Sequence, residues 1–130
     1  MPLNVLISGA GIAGPTLAFF LAKTGARITI VEKAKALLPH GQNIDIQGSA
    51  LTVISKMGLM DKIRAANTTE KGTQFIDPDG KPFAFIPVVK GAPSPTSEFE
   101  ILRGDLAKIL NDSVKDLPNV DYLLDTTIVC

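Results

Sequence analysis

The chain has 130 residues, enough for one small domain and little beyond it. Hydrophobic residues make up 45% and charged residues 20%, a mix that excludes an intrinsically disordered chain. Thirteen Lys and Arg balance thirteen Asp and Glu, so no basic excess points to nucleic acid. The single Cys, Cys130, excludes an internal disulfide framework and a cysteine-built zinc cluster, and the cytoplasm is the expected compartment.

Val5 to Leu21 is mostly apolar, yet it reads neither as a signal peptide nor as a membrane span. Gly9, Gly11, Gly14 and Pro15 interrupt it, and no Lys or Arg precedes it. Lys23 and Arg27 close it short of the roughly 20 apolar residues a span requires.

Leu3 to Ser8 predicts a buried strand that begins almost at the first residue. The turn Gly9-Ala10-Gly11-Ile12-Ala13-Gly14 follows at once. Pro15 to Lys23 predicts a helix with Leu17, Ala18 and Leu21 on one face, Pro15 in its first turn and Gly25 as a left-handed stop. Arg27 to Val31 is β-branched and bounded, a second buried strand that ends at Glu32. Together these elements make a right-handed βαβ unit.

Farther along, Leu51, Ile54 and Met57 predict a helix over Ser49 to Met57, stopped by Gly58. A shorter helical piece is expected over Met60 to Ala66. Thr73 to Ile76 and Pro82 to Ile86 read as strands of a short β-hairpin joined by Asp77-Pro78-Asp79-Gly80. Gly91 to Ser97 is a connector. Leu106, Ile109 and Leu110 mark a helix over Gly104 to Val114, and strands are expected at Val120 to Leu124 and Thr127 to Val129.

The chemistry lies in the first βαβ turn. There the amino end of the helix meets the loop leaving the strand, and its free amides and dipole favour an anion such as a pyrophosphate. Gly9 permits the tight turn, Gly11 leaves room for phosphates beside the backbone, and Gly14 lets the helix pack close to the strand. Glu32, at the end of the second strand, can accept hydrogen bonds from both ribose hydroxyls of an adenosine and would repel a 2′-phosphate. The alternative is a chance glycine loop beside a solvated acid, but strand, turn, helix, strand and acid agree on an adenine dinucleotide site. The residues themselves suit FAD and NAD equally.

Three blocks resemble the N-terminal part of a class A FAD-dependent monooxygenase of the para-hydroxybenzoate hydroxylase type. They are VLISGAGIAGPTLAFFLAKTGARITIVEK (5–33), GQNIDIQGSALTVISKMGL (41–59) and EILRGDLAKIL (100–110). The second is similar to the tetracycline-modifying and fungal secondary-metabolite branches of that family. The resemblance implies a Rossmann-like α/β fold with a parallel sheet, an FAD-binding domain over residues 1–130, and FAD as cofactor. It places Gly9, Gly11 and Gly14 around the pyrophosphate, with Ala13 in the same turn, and Glu32 on the adenosine ribose. Gln42 and Gly41 fall in a loop beside the cofactor, Asp45 on an acid near the flavin, and Arg103 on an arginine that reaches FAD. From the residues alone, Asp45 could equally be a turn acid, and Arg103 a surface partner of Glu100 or Asp105. Lys33 follows Glu32 at a position where many members carry Arg. Leu38 and His40 occupy a stretch where related enzymes often carry an Arg, and His40, a lone loop histidine, is assigned no role as a base.

In a complete enzyme of this kind NAD(P)H reduces FAD, and O2 then supplies the oxygen atom transferred to a small aromatic or polyketide-like substrate. A later D-G motif and a G-D-A-A-H-type motif of the family are absent here. The chain is therefore expected to be the N-terminal portion, or a truncated member, of such an enzyme and too short to oxygenate alone. Its incomplete sheet would invite self-association or a partner chain. The competing readings are a non-catalytic dinucleotide-binding module or regulatory partner, and a fragment of an NAD-dependent dehydrogenase.

Overall fold

The computed structural model describes residues 1–37, 40–91 and 97–129. Along the chain run β1 (Asn4–Ser8), α1 (Ala13–Ala22), β2 (Arg27–Val31), β3 (Asn43–Asp45), α2 (Ser49–Lys56) and α3 (Met60–Ala65). There follow β4 (Gly72–Ile76), β5 (Pro82–Pro87), β6 (Glu100–Leu102), α4 (Arg103–Asp112) and β7 (Val120–Leu123). They fall into two compact units, residues 1–41 with 103–130 and residues 42–102.

The first unit is an α/β layer on a parallel sheet in the order β1-β2-β7. Val5 pairs with Ile28 and Ile7 with Ile30, while Ile30 pairs with Tyr122 on the other side. The central strand β2 buries Ile28, Ile30 and Val31, as a strand covered on both faces must. Ile7, Ala18, Val114 and Val120 complete that core. Each isoleucine fully withdrawn from water contributes about 1.5–3 kcal/mol before entropy is counted. Asn119 secures the chain after α1: its side-chain amide donates to the Ala22 and Ala26 carbonyls at 2.9 and 2.8 Å.

Three expectations change here. Helix α1 starts at Ala13, two residues before Pro15, so Gly14 lies inside it. Gly14, Pro15 and Ala18 form its buried side, while Leu17 is 49% exposed. The small residues face inward because the helix lies so close to the strand that bulkier ones would not fit. Thr127 to Val129 forms no strand. Asp125 adopts a left-handed φ of 51° that ends the extended run. The following backbone folds back toward the end of β2 instead, with Asp125 N–H on the Ala34 carbonyl and Thr126 N–H on the Glu32 carbonyl.

The second unit contains two antiparallel pairs. β3 and β6 join with Ile44 opposite Ile101 and Asp45 opposite Glu100. Neither short strand stands out in the sequence, since three residues carry too little alternation to read. β4 and β5 form the expected hairpin, from Gly72 opposite Pro87 to Ile76 opposite Pro82. Asp77 organises its turn by accepting the Asp79 and Lys81 amides on Oδ1 at 3.0 and 2.8 Å. Helices α2 and α3 bury Ile54 and Ile63. Of the connector, residues 92–96 lie outside the described residues, as does Leu38.

Candidate functional site: a glycine turn over an open cleft

Gly9 takes φ +105°, a region that an L side chain rarely enters, and its amide donates to the Val31 carbonyl at 2.7 Å. The turn thereby closes onto the end of β2. A Cβ on Gly14 would lie 2.0 Å from the Gly9 carbonyl oxygen and 3.2 Å from Ile7 Cγ2, so only glycine permits this approach of helix and strand. A Cβ on Gly11 would meet nothing within 4 Å. Gly11 therefore faces open space, and it borders a cleft.

The amino end of α1 is left uncompensated by its own residues. Ile12 provides no side-chain cap and no acid stands in the first turn. The positive end of the helix dipole stays available to an anion.

Glu32 does more than terminate β2. Its Oε2 accepts the Ala10 amide at 2.8 Å and its Oε1 accepts the Ala34 amide at 2.9 Å. The Ala10 and Ala34 amides hold its carboxyl below the usual carboxylate range, against a smaller opposing effect of burial. Glu32 is thus a carboxylate at neutral pH that ties the glycine turn to the β2 end. Each oxygen keeps a second lone pair.

These residues border a cleft of about 560 Å³ within the first unit. Ala10, Gly11 and Glu32 line it together with Ala34, Ala36 and Leu37, and Arg103, Lys108, Asp112 and Lys115 contribute from α4 and its end. His40 and Gly104 also reach it. The volume is ample for a large part of a nucleotide. Asp112 accepts both Lys108 and Lys115, at 2.5 and 2.7 Å, and these two ammonium groups hold its carboxyl below its ordinary value. Asn111, one residue earlier, is 1% exposed and bonds the Ala10 carbonyl at 2.7 Å.

Of the residues singled out in the sequence, the structure brings Gly11, Glu32 and Arg103 to one cleft, with Gly9, Ala13 and Gly14 shaping the turn beside it. Arg103 opens α4 and is exposed, and among the described residues it forms no ion pair with Glu100 or Asp105. A Cβ on Gly41 would meet the Arg103 side chain at 2.8 Å, so that glycine leaves the arginine its place. Lys33 is exposed and does not border the cleft. Gln42 and Asp45 belong to the second unit.

In that second unit Asp45 is a strand residue and not a turn acid. Its Oδ1 accepts the Ser97 amide at 2.7 Å. Opposite it, Glu100 is buried; burial pushes its carboxyl up, but hydrogen bonds from Thr68, Asn43 and Glu70 outweigh burial and hold it low. The hydrogen bond to Glu100, followed by partial desolvation, pushes the Glu70 carboxyl up.

Beyond Arg103, sequence reasoning missed what α4 and its end contribute. Gly104, Ala107, Lys108, Asn111, Asp112 and Lys115 recur at intervals of three and four opposite the buried Leu106 and Leu110. That second stripe is the signal that could have disclosed it.

The family described as "FAD binding domain" matches residues 2–117. A flavin-dependent monooxygenase from Phoma sp, eupH, is 43% identical over 129 residues, covering 97% of this chain and 30% of its own length. The crystal structure of the tetracycline destructase Tet(55) is similar with a TM-score of 0.79 at 30% identity, over 98% of this chain and 31% of that one. CtdE in complex with FAD shares the fold with a TM-score of 0.81 at 21% identity, over 98% of this chain and 31% of that one. The chain spans about a third or less of the length of these relatives. Among the described residues no helix is long and apolar enough to cross a membrane.

Proposed function

The chain belongs to the FAD-binding domain family, and from that premise we propose that it binds FAD with the dinucleotide's ADP half in the cleft of its first unit. The observation that carries this reading is the open side of Gly11, set between the uncapped amino end of α1 and the Glu32 carboxylate. A pyrophosphate there meets free amides and a favourable dipole. Glu32, ionised and with lone pairs to spare, suits the two ribose hydroxyls and disfavours a 2′-phosphate. In this reading Gly9, Gly11, Ala13 and Gly14 hold the pyrophosphate, and Arg103 supplies a planar, multidentate cation. Lys33 adds an exposed positive charge next to Glu32 in sequence, and the resemblance alone assigns Gln42 and Asp45 to the flavin.

Bound FAD supplies two-electron redox chemistry, while the chain's residues bind and orient it. We read residues 1–130 as the N-terminal portion of an FAD-binding domain in a flavin monooxygenase that uses NAD(P)H and acts on a small organic molecule. The support is the likeness to flavin-dependent monooxygenases over nearly the whole chain. The same reading takes the chain to be cytoplasmic, which its single cysteine suits, and includes association through the sheet edges of β1 and β7.

Titration of the purified chain with FAD tests this. Saturable quenching of flavin fluorescence, reversed by excess ADP, is expected. Unchanged fluorescence at excess protein, or saturable binding of NAD in place of FAD, overturns it.

A further inference from the structure

We propose that Asn111, oriented by Tyr122, is a positioning residue for the cofactor turn: it grips the Ala10 carbonyl and so aims the Gly11 amide. The inference rests on the FAD reading above and extends it to residues from the carboxyl-terminal stretch of the unit.

Asn111 is 1% exposed, deep in the first unit, where an amide side chain persists only if its hydrogen bonds are made. They are made. Nδ2 donates to the Ala10 carbonyl at 2.7 Å and to the Ala107 carbonyl at 2.8 Å, and Oδ1 accepts the Tyr122 hydroxyl at 2.6 Å. The bond to Ala107, one helical turn back, needs no such burial; the bond to Ala10 reaches across 101 residues of sequence. The Ala10 and Ala107 carbonyls can only accept, so they select the NH2 group of the amide, and Tyr122, donating to the oxygen on the other side, holds it in that orientation. Burial, with the nearby Asp112 charge, pushes the Tyr122 hydroxyl up to about 12, so it remains a donor at ordinary pH.

The consequence for the site follows from peptide geometry. The Ala10 carbonyl and the Gly11 N–H belong to one planar unit, and no cis peptide occurs among the described residues. The two groups of a trans peptide point in opposite directions, so fixing the carbonyl fixes the N–H. Glu32 holds the same residue from its other side, through the Ala10 amide at 2.8 Å. Ala10 is therefore clamped at both its N–H and its carbonyl, and the next residue is the one whose open side borders the cleft. An amide aimed in advance loses no orientational freedom when a phosphate arrives, which is where the affinity comes from.

The test compares Asn111→Leu, close in volume but unable to donate, with Tyr122→Phe and with Leu110→Ala. The last removes buried apolar volume from the same helix without touching the turn. ADP affinity is measured by calorimetry on the 130-residue chain, at a temperature where circular dichroism reports every variant folded. The Gly11 amide signal is followed in 1H–15N spectra without ligand. Asn111→Leu is expected to weaken ADP about ten- to a hundredfold and to shift the Gly11 signal. Tyr122→Phe should weaken ADP only about two- to fivefold, because the Asn111 donor survives. Leu110→Ala should leave ADP affinity within about twofold even at an equal or larger loss of Tm. Equal weakening by Asn111→Leu and Leu110→Ala at matched Tm loss would reduce Asn111 to ordinary core packing and overturn the proposal. If the wild-type chain binds neither ADP nor FAD, it is the functional reading that fails. The Gly11 signal then decides the grip: displacement in Asn111→Leu alone supports it, and equal displacement in both variants overturns it.

Discussion

The glycine turn of the first unit and the β4–β5 hairpin of the second are both short, local and rich in glycine or proline, yet they are held in different ways. In the turn every constraint is doubled. Gly9 takes a left-handed φ and bonds to β2, Gly14 closes on the Gly9 carbonyl, and Ala10 is held by Glu32 and Asn111. The hairpin depends on its own turn and ladder, and all six residues of β5 are exposed, Phe83 at 68%. A backbone pinned by neighbours distant in sequence is rigid enough to present amides to a ligand. A ladder fixed by Asp77 and its register keeps its shape through local bonds alone, with β5 open to solvent.

Changes that strike the doubled constraints should hurt most. Gly14→Val drives a side chain into the Gly9 carbonyl and Ile7, and should cost about 2–4 kcal/mol, read as a lower urea midpoint. A midpoint unchanged by this substitution would mean that α1 and β1 are not packed as described. Gly11→Val separates stability from binding, because its Cβ meets open space. Its unfolding free energy should move by no more than about 0.5 kcal/mol, while FAD affinity falls about a hundredfold or more. Retained affinity in that variant would remove the turn from the proposed site.

The pH dependence gives a smaller effect with a definite sign. The folded-state carboxyl of Glu32 lies below its ordinary value of 4.5, so its stabilising bonds are fully present above that value. They are lost as pH falls through the ordinary value and on below the folded one. Glu32→Gln should therefore show a shallower loss of urea midpoint between about pH 6 and about pH 3 than the wild type. Parallel curves would show that the Ala10 and Ala34 amides do not depress this group. The hairpin supplies the smallest effect: Phe83→Ser should change the unfolding free energy of the chain by about 0.5 kcal/mol or less. A loss of several kcal/mol would erase the contrast between the two regions.

Much of the first unit was legible because its signals are local. A β-branched run such as Arg27–Val31 can be buried on both faces, and a glycine triplet directly after a strand can serve one kind of turn. Gly25 and Gly58 stop their helices with φ of 80° and 71°, as their positions suggest. The reading failed where the outcome depends on what lies opposite. Leu17 occupies an apolar helical position and still faces outward, because the close approach at Gly14 admits only small residues on the buried side. Thr127 to Val129 has strand composition, but Asp125 turns the chain back toward Ala34 and Glu32. β3 and β6 are too short to read singly and form by pairing with each other, with Asn67 bridging Ile101 of β6.

By itself the sequence determined the βαβ unit, the glycine turn, the acid that ends β2 and, through three spaced blocks, the family. The first three lie within about 30 positions of one another, where chain geometry leaves few alternatives, whereas the family rests on the order of blocks spread from residue 5 to residue 110. Tertiary structure alone decided that Glu32 engages the backbone through a lone pair on each oxygen, and that Lys108 of α4 and Lys115 just beyond it reach the cleft. It also decided that a buried Asn111 holds the turn from 101 residues away. Hydrogen bonds of that reach leave no periodicity in the sequence, because they are satisfied only when the folded backbone delivers one polar group to another out of water.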